Sequence, residues 1–235
     1  MINFNFEGQE YNMKTEWEEL TTNQYLNIMK VYQKNQIISL GEEMLAQQIL
    51  EVLCDVDLGH FDEITVELIL ELMPKITNLS QTIEEFTSKS HKTPPSWEID
   101  GTIYSYRRRY EDCNAGEITD IKTYIGEKQY IWEYMLDIAA VLIRPAELLH
   151  TPGGEPYYKL SKRHPLDHET NKSRIGGIPF VEIKTYIDFF LSGWFKRTIT
   201  TNGFTEQEAE KIVADLKSLP VSEHSSYLTS LGKEI

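Results

Sequence analysis

Residues 97–112 read WEIDGTIYSYRRRYED, and the fold turns on how this stretch is taken. Taken for its three consecutive arginines it is a basic patch; taken for its alternation it is a β-hairpin. Asp100-Gly101 is a dipeptide suited to the positive φ angles of a tight two-residue turn, and apolar or aromatic residues alternate on both sides of it. Carried on to Tyr110, alternation sets Tyr104, Tyr106, Arg108 and Tyr110 on one face, and Ile103, Ser105, Arg107 and Arg109 on the other. The arginines therefore divide between two faces. The expectation is a strand in which Arg108 stacks among tyrosines or meets an acid, while Arg107 and Arg109 face solvent, pair with carboxylates and are the stretch's contact residues.

The same pattern stands 93 residues earlier. Phe4-Asn5-Phe6-Glu7-Gly8 aligns with Trp97-Glu98-Ile99-Asp100-Gly101, and Tyr11 and Met13 align with Tyr104 and Tyr106. Each copy leads to a helix start, read at Glu19-Leu20-Thr21 and at Glu117-Ile118-Thr119, which makes the second spacer five residues longer. A hairpin-helix unit occurring twice is the expectation.

Outward from the hairpins the period changes from two to helical. Thr21 or Thr22 caps a helix carrying Tyr25, Leu26, Ile28 or Met29, and Tyr32. Residues 40–88 keep helical spacing, with Gly59 between two helices and Pro74 breaking or kinking the second. The polar stretch 88–96 ends in a proline pair and reads as a linker between residues 1–88 and 97–235, unless the two form one fused domain. Residues 131–144 predict a core helix that stops before Pro145. Residues 150–177 read as the longest loop, the kind of segment that carries function. Phe180, Ile183, Tyr186 or Ile187, Phe190 and Trp194 mark an amphipathic helix over 180–195. Thr205 with Glu208 forms a capping box for a helix over 206–218, ended by Pro220. The fold class is α+β, predominantly helical, with two short β-hairpins.

The chain has 235 residues, enough for one large or two small cores, and 40% hydrophobic content is that of a folded protein. Its net charge of −14 disfavours nucleic acid and anionic membranes as partners. The longest apolar run, 138–143, falls far short of the roughly 20 residues of a membrane span, and the N-terminus has no targeting pattern. Cys54 and Cys113 read as reduced, buried thiols of an intracellular protein.

Chemistry-bearing motifs are scarce. No GxSxG, P-loop or activated-cysteine pattern occurs. His164, Asp167 and His168 form the strongest metal candidate, with His150 and Glu155 nearby, but Pro165 prevents both histidines from sharing an established helix face. The expectation is no enzyme activity, no cofactor and no metal. Aromatic surface remains for protein partners: Tyr157 and Tyr158 in the loop GGEPYYKL, Phe190 and Trp194 on the aromatic helix, and the narrow stripe of the C-terminal helix.

Trp17 before Leu20-Thr21, Gly116-Glu117 opening the second helix, and Ala140-Val141-Leu142 with Arg144-Pro145 ahead of a tyrosine-bearing loop resemble small proteins of tailed bacteriophages, especially those infecting Bacteroidetes. The likeness is discontinuous over residues 11–195. It implies a virion-assembly protein similar to tail assembly chaperones, in the host cytoplasm during assembly. The alternative is a permanent connector or tail-ring component of the virion; a metal-dependent enzyme is the third reading. The implied partners are other virion proteins or further copies of the chain.

Overall fold

The computed structural model describes residues 1–81, 93–127, 131–162, 167–201 and 205–218. Two compact units divide the chain: residues 1–92 with 176–182, and residues 93–175 with 183–235. The division falls within the stretch read as a linker, of which 88–92 lie outside the described residues, as does Pro220.

The first unit opens with strands β1 (Ile2–Phe6) and β2 (Gln9–Met13), paired antiparallel as a separate two-stranded sheet. Glu7 and Gly8 take φ 49° and 80°, the left-handed pair a two-residue hairpin turn requires. A 3-10 turn, Trp17–Glu19, leads to α1 (Thr22–Ile38), and α2 (Glu42–Leu53) and α3 (Val66–Gln81) follow. Thr21 and Gln24 form a reciprocal capping box at the start of α1. Pro74 lies inside α3 and does not end it. The carbonyl it leaves without an amide partner belongs to Leu70, which is exposed together with Pro74, so water can satisfy that group. Residues 176–182 complete the unit: Thr22 N donates to Ile178 O at 2.9 Å, Asn23 N to Gly176 O at 2.9 Å, and Phe180 N to Leu20 O at 2.9 Å. Phe180 stacks on Tyr25 with ring centroids 3.7 Å apart. Gly176 permits that approach, since a Cβ there would meet the Asn23 side chain at 2.3 Å.

The second unit repeats this plan. Strands β3 (Trp97–Ile99) and β4 (Thr102–Tyr106) form a hairpin around Asp100 and Gly101, with φ 50° and 71°. A 3-10 turn, Tyr110–Asp112, precedes α4 (Ala115–Glu127) and α5 (Ile131–Leu142). The 93-residue offset holds through Trp17 and Tyr110, through the caps Thr21 and Asn114, and through the helix starts Thr22 and Ala115. The spacer is therefore the same length in both copies. The expected extra five residues came from placing the second helix start at Thr119, whereas Asn114 is the cap, bonding Glu117 N through Oδ1 at 3.0 Å. Each copy closes in the same way: Lys14 N donates to Leu53 O at 3.3 Å and Arg107 N to Leu142 O at 3.2 Å, the last residue of the second helix in each case.

Beyond this shared plan the copies diverge. After α2 the chain turns at Asp55, with φ 59°. After α5 it runs straight into β5 (Ile143–His150), whose first three residues pair with β4, and then into β6 (Pro156–Leu160). The result is a four-stranded sheet ordered β3-β4-β5-β6, so a third hairpin joins the two expected ones. The 150–177 stretch is correspondingly not one long loop. It holds β6, a tight turn at 151–155 with Gly154 at φ 82°, and α6 (His168–Ile175). Helix α7 (Phe180–Thr201) is longer than its aromatic stripe, and α8 (Glu206–Ser218) starts at the expected Thr205–Glu208 capping box.

Candidate functional site

The arginine triplet lies beyond the strand, which ends at Tyr106, so alternation does not govern it. Arg107 is half-buried and its guanidinium reaches Glu117 Oε1 at 3.3 Å. Glu117 is 1% exposed and also takes Arg144 Nη2 on Oε1 at 2.5 Å, while its Oε2 accepts from Asn114 N at 2.9 Å. Arg107 thus belongs to a buried ion-pair cluster, and a carboxylate is its partner as expected. Arg108 and Arg109 are exposed; burial pushes the Tyr106 phenol up, and Arg108 is near enough to it for its charge to favour the ionised form.

Phe190 and Trp194 are closed into the interior at 2% and 6% exposure, Trp194 stacking on Tyr110 with centroids 6.1 Å apart. Neither presents an aromatic surface to a partner, because the stripe they share with Ile183, Tyr186 and Ile187 is core. The exposed aromatic of α7 is Phe189, at 69%, which stripe counting passed over. The C-terminal stripe is used internally too, with Ala209, Ile212 and Val213 packing on Ile199 and Phe195.

Tyr157 and Tyr158 lie on β6. Pairing of β5 with β4 stops at Pro145, so Ala146–His150 and β6 continue as a two-stranded arm. Leu148 pairs with Tyr158 and Leu149 with Tyr157 across it. Leu148 and Tyr157 are 42% and 43% exposed, and Tyr158 is half-buried with its hydroxyl bonded by Ser96 Oγ at 2.9 Å. Among the described residues neither outer edge of the arm is paired with a further strand.

A cleft of about 180 Å³ opens in the second unit where β4, α5, β5, α6 and the segment after β6 meet. Tyr104, Ala140 and Pro145 give it an apolar wall. Arg144, Lys162 and Arg174 bring positive charge, and Asp167 is the one acidic residue among those lining it. Arg174 Nη1 donates to the buried Tyr104 hydroxyl at 3.2 Å, and Asn171 is fixed by bonds to Ala140 O and Ile143 O at 2.9 and 2.7 Å. His168 stacks on Tyr124 and places Nε2 3.4 Å from Asp137 Oδ1. The Lys172 ammonium contacts the same carboxylate oxygen. Burial opposes ionisation of Asp137, yet the His168 and Lys172 contacts hold its carboxyl below the usual aspartate value.

The metal candidate changes composition. His164 lies outside the described residues, and the ligand atoms that converge within 4.8 Å are those of Asp137, His168 and Glu169, without Asp167. Lys172 already neutralises Asp137 there, so a cation must displace an ammonium. Neither thiol is poised as a nucleophile: both cysteines are unpaired and half-buried, and burial pushes each up to about 12. No helix among the described residues is long and apolar enough to cross a membrane.

Compared with known proteins, no family model matches the chain, and no curated protein and no solved structure matches it either.

Proposed function

We propose that this chain is a non-enzymatic protein of tailed-phage particle assembly that binds other virion proteins, with the β5–β6 arm as its docking element. The arm carries the reading. An isolated two-stranded ribbon is marginal in water, and an unpaired apolar edge is a template for another strand. Leu148 and Tyr157 stand exposed on such a ribbon, and neither outer edge of the arm pairs with a further strand among the described residues. That arrangement favours capture of an extended segment of a partner by strand addition at an outer edge, with Leu148 the apolar anchor on the β5 edge and Tyr157 that on the β6 edge. The acidic balance of the whole chain, −14, supports solubility of a complex with an aggregation-prone partner. The phage setting rests on the resemblance of the Trp17, Glu117 and Arg144-Pro145 segments.

Co-expression with the remaining virion proteins, followed by purification on this chain, is expected to retain a tail protein. The double substitution Leu148→Asp and Tyr157→Asp is expected to weaken that retention at least about tenfold with an unchanged far-ultraviolet spectrum. Full retention by the double variant refutes the arm as docking element. Failure to retain any virion protein refutes the function. Mass spectrometry of finished particles separates a chaperone, absent from them, from a permanent component.

A further inference from the structure

We propose that the cleft of the second unit binds a small organic anion, a negatively charged group carried on an apolar body. This goes beyond the protein-binding reading and does not depend on it. Two features of the cleft define the ligand class. Its wall is apolar, with Pro145 at the surface and Ala140 and the buried Tyr104 behind it. Against that wall stand Lys162 and Arg174, with only Asp167 opposing them among the lining residues. In a chain with 37 acidic and 23 basic residues such a local excess of positive charge runs against the overall balance.

The internal charges nearby are already matched. Glu117 answers Arg144, and Asp137 answers Lys172 and His168. Lys162 is different: it is exposed and has no hydrogen bond or ion pair among the described residues. Arg174 spends one nitrogen on the Tyr104 hydroxyl and feels the charge of Asp100 without a hydrogen bond to it, so its other donors remain for a ligand. Ser161 and Thr170 add hydroxyls on the lining, and His168 keeps Nδ1 buried without a hydrogen-bond partner. A guanidinium, an ammonium and two hydroxyls grouped beside an apolar wall form the donor set that recognises a carboxylate or phosphate attached to a ring or short chain.

Titration calorimetry of the full chain with phenyl phosphate tests this, with inorganic phosphate and phenol as probes of the two halves of the ligand. Saturable binding of phenyl phosphate is expected, with weaker binding of inorganic phosphate and none of phenol. Lys162→Glu, which removes no internal contact, should weaken phenyl phosphate at least about tenfold at unchanged thermal midpoint, and the pair Lys162→Ala with Arg174→Ala should weaken it as much with a lowered midpoint, because the buried Tyr104 hydroxyl loses its partner. No saturation with either anion, or undiminished binding by Lys162→Glu, overturns the site. Inorganic phosphate binding as tightly as phenyl phosphate overturns the organic class.

Discussion

At the scale of single residues, the two copies of the hairpin-helix unit differ by an amide against an acid at one position, and hydrogen bonding explains the choice. Gln24 and Glu117 both hold the third helical position of a capping box, and both take a contact from the base that follows the second strand of their hairpin. Gln24 must also donate: its Nε2 bonds Val52 O at 3.1 Å while its Oε1 accepts from Lys14 at 2.7 Å. Glu117 only accepts, from Arg107, Arg144 and Asn114 N. Exchanging them should therefore harm both units. Glu117→Gln leaves two guanidiniums facing a neutral group in a buried site, a loss of about 3–5 kcal/mol. Gln24→Glu sets a carboxylate against the Val52 carbonyl and removes that donor, a loss of about 1–3 kcal/mol. Urea denaturation checks both, and an unchanged midpoint for either variant contradicts the assignment. Asp137 offers a second test at this scale. Its carboxyl is held below the ordinary value, so the folded state favours the charged form. That stabilisation is complete above the unfolded value, about 4, and is lost as pH falls through the lower folded value. Stability of Asp137→Asn should consequently fall less steeply than that of the parent below about pH 4, as followed by thermal midpoints across an acid series.

At the scale of elements, what the sequence discloses is what local chemistry decides. The Glu7-Gly8 and Asp100-Gly101 turns, the Thr21 and Thr205 caps and the helix end before Pro145 are each set by a few adjacent side chains. The third hairpin was hidden because β5 begins on the residue after α5, with no turn residue between them, and because Pro, Gly and charge in 151–156 resemble a loop as much as a hairpin end. The strand through the arginines ends at Tyr106 because its partner β5 starts only at Ile143: Arg107 N still bonds Leu142 O in register, but Leu142 is the end of α5, a long-range limit that alternation cannot register. The cleft is the least legible feature. Its residues come from Tyr104 to Arg174, and Lys162 and Arg174 carry no motif; their meaning arises only from being brought to one wall.

At the scale of the whole chain, the constant 93-residue offset from strand to cap, together with the matching closure of Lys14 on Leu53 and Arg107 on Leu142, describes one supersecondary unit built twice. The copies are completed differently. The second extends its own hairpin by β5 and β6. The first takes residues 176–182 from far along the chain, which satisfy the amides of Thr22 and Asn23, supply an acceptor at Ile178 O for the buried Thr22 hydroxyl at 3.0 Å, and cover Tyr25 with Phe180. A fragment of residues 1–92 therefore loses partners for the start of α1 and uncovers an aromatic ring, a loss that a unit of this size does not absorb. It should show helical far-ultraviolet absorption but poorly dispersed amide resonances. Joining residues 176–182 to it through a flexible linker should restore dispersion, and Phe180→Ala in that linked form should abolish the restoration. Sharp, dispersed spectra from the 1–92 fragment alone would mean that the first copy is complete without its distant segment.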